Sequence, residues 1–191
     1  MNASRFALTI IAAVVIGSAP LPAQRARISP HETISTKIDG NRVTIVYGRP
    51  YSKDPKSGEI RKIWGSLVPY GKIWRTGADE ATLLITQKDI VLGGTTIPAG
   101  AYTLYTLPAE DGSAKLLVNR QIGQWGFDPY DEKQELARID MARTDLKPAD
   151  PAKDVSVPQF TMSVGKNPGG GGIIKMMWET TQYSVNYAVR K

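Results

Sequence analysis

TQYSVNYAV, residues Thr181–Val189, alternates without a slip. Tyr183, Val185, Tyr187 and Val189 fall on one face, and Gln182, Ser184, Asn186 and Ala188 on the other. A period of two belongs to a strand with one face in a core and one in water. The same signal recurs upstream. Ile34, Thr36 and Ile38 share a face, as do Val43, Ile45 and Tyr47, with Asp39-Gly40-Asn41 between them as a three-residue hairpin loop. Further strands read over 81–87, 90–92, 101–107, 115–119, 136–142 and 173–178. Gly93-Gly94 marks a turn, and Pro98 ends the following ladder because it has no N–H to donate. Val155 and Val157 keep one phase while Phe160, Met162 and Val164 keep the opposite one, which predicts a bulge or break at Pro158. A short helix is the alternative over 131–138, where Glu132, Lys133, Gln134 and Glu135 are good helix formers.

About ten short strands with turn signals every 8–12 residues, and at most one short helix, predict an all-β fold. The expected architecture is a single antiparallel β-sandwich, with a jelly roll or barrel-like closure as the alternative. No repeat or separating linker divides residues 24–191, so they form one domain. Residues 60–77 lack a period but carry Trp64, Leu67, Val68, Tyr70, Ile73 and Trp74. Burial stabilises such apolar area by roughly 25 cal/mol per Å², so the stretch is expected to be irregular yet packed. The glycine-rich run 165–172 is expected to be a flexible connection.

The composition, 41% hydrophobic and 22% charged, is that of a folded chain. The absence of cysteine excludes a disulfide framework, a thiolate metal site and a cysteine nucleophile. A single histidine, His31, argues against a multi-histidine metal centre, so no metal and no cofactor are expected. The net charge is +6, but the basic residues are scattered. Arg61-Lys62 is too short to be a nucleic-acid stripe. At the N-terminus, Arg5 precedes the apolar run FALTIIAAVVI (Phe6–Ile16), and the small-residue stretch SAPLPA follows. That run is shorter than the roughly 20 residues needed to span a bilayer. Residues 1–23 therefore read as a secretory signal cleaved after Ala23, which predicts a periplasmic or secreted protein with no membrane span after cleavage. An uncleaved anchor is the alternative. A chain of this size buries roughly 70% of its unfolded surface and needs no covalent staple.

VPYGKIWRTGADEAT (Val68–Thr82) is the most distinctive stretch. Together with SPHETIS (Ser29–Ser35), YGRP (Tyr47–Pro50), IPAGAYTLYTLP (Ile97–Pro108), QWGFDPYDEKQEL (Gln124–Leu136) and WET (Trp178–Thr180), it resembles an exported bacterial family catalogued as domain of unknown function 2911. The resemblance covers nearly the whole mature chain in order. It implies a secreted or periplasmic β-rich domain and no established activity. Two departures stand out: a longer connection between Arg49-Pro50 and Arg61-Lys62, and Asp79 where the family commonly has Asn. The second adds a negative charge beside Glu80 and weighs against anion binding at Arg75.

The WRTGADE segment holds the best candidate site. Trp74 offers a flat apolar face, Arg75 a fork of donors for carboxylate or phosphate, and Glu80 an acceptor. The structural alternative has Trp74 plugging one end of the sandwich and Arg75 clamped on Glu80 or Asp131. Tyr47, Arg49 and Tyr70 are candidates for the same end, since two arginines favour an anionic ligand. Trp125, Phe127 and Tyr130, beside Asp128 and Asp131, resemble the aromatic and acidic lining of a sugar site; their alternative is a satellite core. His31 lacks a G-x-S-x-G partner for a serine triad. GSLVPYGK (Gly65–Lys72) misses the P-loop spacing and has Ile73 where Ser or Thr is required.

Two function classes remain. One is a non-catalytic binding module for a carbohydrate, peptide or small acidic ligand, with Trp74, Arg75, Glu80, Trp125 and Tyr130 around one pocket. The other is a hydrolase of envelope or extracellular polymers pairing Glu80 with Asp131 or Glu135, which needs two carboxylates about 5–9.5 Å apart in one cleft.

Overall fold

A computed structural model describes residues 27–126, 128–148 and 155–191. The expected signal segment, Phe127 and residues 149–154, the end of a loop that Pro148 and Pro151 predict over Asp145–Asp154, lie outside the described residues. In chain order the strands are β1 (His31–Ile38), β2 (Asn41–Gly48), β3 (Thr82–Thr86), β4 (Ile90–Leu92), β5 (Thr95–Ile97) and β6 (Gly100–Pro108). There follow β7 (Ala114–Asn119), β8 (Glu135–Asp140), β9 (Ala142–Asp145), β10 (Val157–Lys166), β11 (Gly172–Glu179) and β12 (Thr181–Val189). One three-residue 3-10 turn, Glu132–Gln134, precedes β8, so both readings of that stretch hold in part. No helix among the described residues is long and apolar enough to cross a membrane.

The strands form two antiparallel sheets that do not close into a barrel. The first has the order β1-β2-β3-β6-β7-β8, and the second β10-β11-β12-β4-β5. β12 carries β11 on one side. Its other side is shared, with β9 along Thr181–Ser184 and β4 along Tyr187–Val189. The inward faces meet in one core. Val43, Ile45, Leu84, Leu104, Leu116 and Val118 come from the first sheet, and Phe160, Met162, Ile174, Met176, Trp178 and Tyr183 from the second. The pleat sends Tyr105 and Leu117, neighbours across β6 and β7, to the opposite face, where they form a small cluster with Ala81.

Ile38 pairs directly with Asn41, so the first hairpin has a two-residue turn and not a three-residue loop. Asp39 and Gly40 both have positive φ (49° and 75°), the type I′ geometry that matches strand twist. Asn41 is drawn into β2 because its buried amide donates to Thr86 Oγ1 (2.9 Å) and accepts from the Lys88 N–H (2.8 Å). The slip expected at Pro158 is a register shift between Val157 and Thr161. The glycine-rich run ends packed rather than free. A Cβ on Gly171 or Gly172 would meet Tyr187 at 2.2 Å.

The irregular stretch 60–77 lies over the core through buried Ile63 and Val68, with Trp64 and Trp74 packed beside them. Leu67 and Ile60 are exceptions at 40% and 79% exposed.

Candidate functional site

Two backbone hydrogen bonds, Trp74 N–H to Thr106 O and Thr106 N–H to Trp74 O (both 2.8 Å), tie Trp74 to β6. Its indole then stacks on Trp178 (5.8 Å between centroids, 21° between planes). Phe160 and Trp64 meet it edge-on at 5.1 and 6.1 Å.

The chain next makes a turn with two non-glycine residues in the left-handed region, Thr76 (φ 57°) and Asp79 (φ 63°). An aspartate tolerates that conformation; a β-branched threonine there is strained by about 1–2 kcal/mol. Thr76 is fully buried and held from two sides. Its hydroxyl lies 2.8 Å from that of Thr106, and its carbonyl accepts from the Thr82 hydroxyl at 2.6 Å. The turn also rests on the end of β2, where the Ala78 N–H donates to Gly48 O (3.3 Å).

Between this turn, the loop from Pro50 to Lys56 and the segment Ile28-Ser29 lies a cleft of about 530 Å³, with Trp74 and Trp178 in its lining. Arg75 lines it too and is half-buried. Its Nη1 donates to Gly126 O at 3.3 Å, its Nε is buried without an acceptor, and its Nη2 makes no hydrogen bond to a described residue. A Cβ on Gly126 would sit 2.7 Å from the guanidinium carbon, so the guanidinium lies against that glycine. Among the described residues no carboxylate lies within 4.0 Å of Arg75. Burial lowers its pKa from the ordinary arginine value, and the charge of Asp79 opposes that shift. Trp178 is 1% exposed, and its indole N–H also lacks a partner.

At the rim, Arg61 is occupied by the carbonyls of Tyr51 and Ser52 and by Asp54 at 3.8 Å. Asp54 accepts from the Lys56 and Ser57 N–H groups, which hold its carboxyl below the usual range.

A second hollow of about 270 Å³ lies nearby, lined by Arg27, His31, Tyr47 and Glu80 among others. Glu80 pairs with Arg27 and lies 3.6 Å from His31 Nε2, which is itself 3.0 Å from Asp79. Tyr47 is a core residue. Its hydroxyl donates to Glu32 (2.6 Å) and accepts from the Met162 N–H (2.9 Å). Burial first, then the bond to Glu32, raises its pKa and keeps it protonated.

The nine sequence candidates therefore do not surround one pocket. Trp74 and Arg75 line the larger cleft; Tyr47 and Glu80 line the hollow; the other five line neither. Arg49 braces β2 to β10, donating to Phe160 O (3.2 Å) and Thr161 Oγ1 (2.9 Å) and pairing with Glu32. Tyr70 packs over Gly65. Trp125 is 46% exposed, with the Arg27 guanidinium 5.9 Å above its ring. Tyr130 meets Tyr105 edge-on and donates to Glu135 (2.7 Å), which also holds Arg138. Asp131 caps the 3-10 turn. The expected clamp of Arg75 on Glu80 or Asp131 is absent, because both carboxylates are taken by nearer groups. Sequence reasoning missed Trp178 and the Ile28-Ser29 wall. Trp178 shares the buried phase of Ile174 and Met176, so it reads as an ordinary core residue.

Residues 29–187 match the family model described as protein of unknown function (DUF2911). The chain belongs to this family. The DUF2911 match includes the whole lining of the larger cleft except Ile28. No curated protein and no solved structure matches the chain.

Proposed function

We propose that this DUF2911 protein is an exported, non-catalytic binding protein whose larger cleft takes a small acidic ligand on Arg75. One observation carries the reading: a half-buried guanidinium faces the cleft with no carboxylate of a described residue within 4.0 Å. A charge drawn partly out of water without a counter-charge is unfavourable. Arg49, Arg61, Arg138 and Arg143 each have a carboxylate within 4 Å. An anion in the cleft supplies Arg75 with the counter-charge that no described residue provides. The strained turn supports the same reading, since left-handed non-glycine residues concentrate at ligand sites. Glu80, Asp131 and Glu135, the residues considered for hydrolysis, each serve a local partner, which favours binding over catalysis.

Arg75→Ala separates this from a structural role. It strands no carboxylate of a described residue, so its stability is expected within about 0.5–1 kcal/mol of wild type. Thermal shifts are then read against panels of small carboxylates, phosphates, sugars and short peptides. A ligand at one hundred times its Kd stabilises the wild type by about 2.7 kcal/mol. That response is expected for acidic compounds and is lost in Arg75→Ala. A stability loss of about 3–5 kcal/mol in the variant assigns Arg75 to the fold instead. Export is tested separately. Mass spectrometry of the protein from its host is expected to show Gln24 at the N-terminus, and an intact Met1 form in the membrane fraction overturns it.

A further inference from the structure

We infer that the ligand is a monocarboxylate on a flat apolar body, with the body against the Trp74–Trp178 end of the cleft and the carboxylate on Arg75. This rests on the reading of the cleft just given and narrows it. The polarity of the missing partner comes from the atoms that lack one. Among the described lining residues two buried polar atoms have no hydrogen bond, Arg75 Nε and Trp178 Nε1. Both are donors and neither can accept. The reachable edge of the same guanidinium, Nη1 and Nη2, likewise only donates, so a ligand seated on it brings acceptors. A polyol brings donors in equal number, and those find no vacant acceptor among these two groups.

The charge balance sets the number of negative charges. Lys56, Arg61 and Arg75 face Asp54 and Asp79 in the lining, an excess of one positive charge. Arg61 and Asp54 are engaged with each other and with backbone groups, which leaves Arg75 and Lys56 against Asp79. Asp79 acts on Arg75 as a neighbouring negative charge. It opposes a second charge on the ligand and so disfavours a phosphate dianion. The open Nη2 and the weakly engaged Nη1 of Arg75 form the edge that a planar carboxylate fits with two parallel hydrogen bonds.

The body of the ligand follows from the rest of the lining. Pro50, Tyr51, Leu67 and Ala78 supply apolar lining besides the two indoles. The volume of about 530 Å³ lies within the roughly 300–1,000 Å³ of small-molecule sites.

Isothermal titration with 2-naphthoate, its neutral amide 2-naphthamide, and inorganic phosphate tests this on wild type, Arg75→Ala and Trp178→Phe. The expected result is 2-naphthoate binding at least tenfold tighter than either comparator. Arg75→Ala should abolish the preference for acid over amide. Trp178→Phe keeps an aromatic ring but trims the flat apolar surface stacked on Trp74, and should weaken 2-naphthoate about three- to tenfold while keeping the preference for acid over amide. Phosphate binding as tightly as 2-naphthoate, or in its place, with loss in Arg75→Ala, overturns the flat monocarboxylate and leaves the small-anion reading standing. Equal binding of acid and amide, or binding of none of the three, overturns both.

Discussion

Trp178→Ala is expected to lower the free energy of unfolding by about 3–5 kcal/mol, the range for deleting a fully buried large aromatic. The indole is 1% exposed at the end of β11 and touches two aromatic neighbours, Trp74 in a stack and Phe160 at 63°. Its removal takes apolar area out of the core and leaves a void that those neighbours can fill only by moving. Trp74 is restrained by its two bonds to Thr106, so collapse from that side is limited. Against a usual total of about 5–15 kcal/mol, a loss of this size leaves little margin. Urea unfolding followed by far-ultraviolet circular dichroism reads the effect without relying on the deleted fluorophore. A loss below about 1 kcal/mol would show that the stack does not anchor this end of the sandwich.

That stack also marks where the sequence stops being readable. β12 and the β1–β2 hairpin are legible because one face meets a core and the other water, so period two survives in the side chains. The hairpin register is not, because Asn41 suits a turn as well as a strand; its bonds to Thr86 and Lys88, 45 residues or more away, decide the matter. β9 escapes notice because its four residues are all exposed and carry no alternation. Within the site, Trp74 and Arg75 are legible as residue types. The partner of Arg75 is not, since Glu80 and Asp131 are equally plausible in one dimension and three-dimensional distance eliminates them. Trp125 and Tyr130 look alike in composition; one stands in solvent and the other lies on the small outer cluster around Tyr105. Thr76 gives no signal at all, because β-branched residues ordinarily avoid the conformation that the Thr106 and Thr82 hydroxyls impose on it.

The dependence of the site on backbone contact leads to the second large effect, at Gly48. Gly48→Ala is expected to destabilise by about 1–3 kcal/mol, the usual consequence of overpacking, and to abolish the ligand response as well. A Cβ there would lie 2.2 Å from the carbonyl oxygen of Ala78 and 2.9 Å from its carbon. These are backbone atoms and cannot rotate aside as a side chain would, so the turn itself must shift. That turn contains both left-handed residues, Thr76 and Asp79, and follows Arg75 directly, so displacing it moves the guanidinium away from Gly126. Gly77 packs reciprocally, since a Cβ on it would meet Gly48 O at 2.9 Å. Gly165→Ala is the matched control. Nothing lies within 4 Å of its Cβ position and its φ is not positive, so its change is expected within about 0.5 kcal/mol. Urea midpoints and the thermal-shift response of both variants provide the comparison. If Gly48→Ala unfolds with the Gly165→Ala midpoint and keeps its response to acids, the seating of the turn on β2 does not position Arg75.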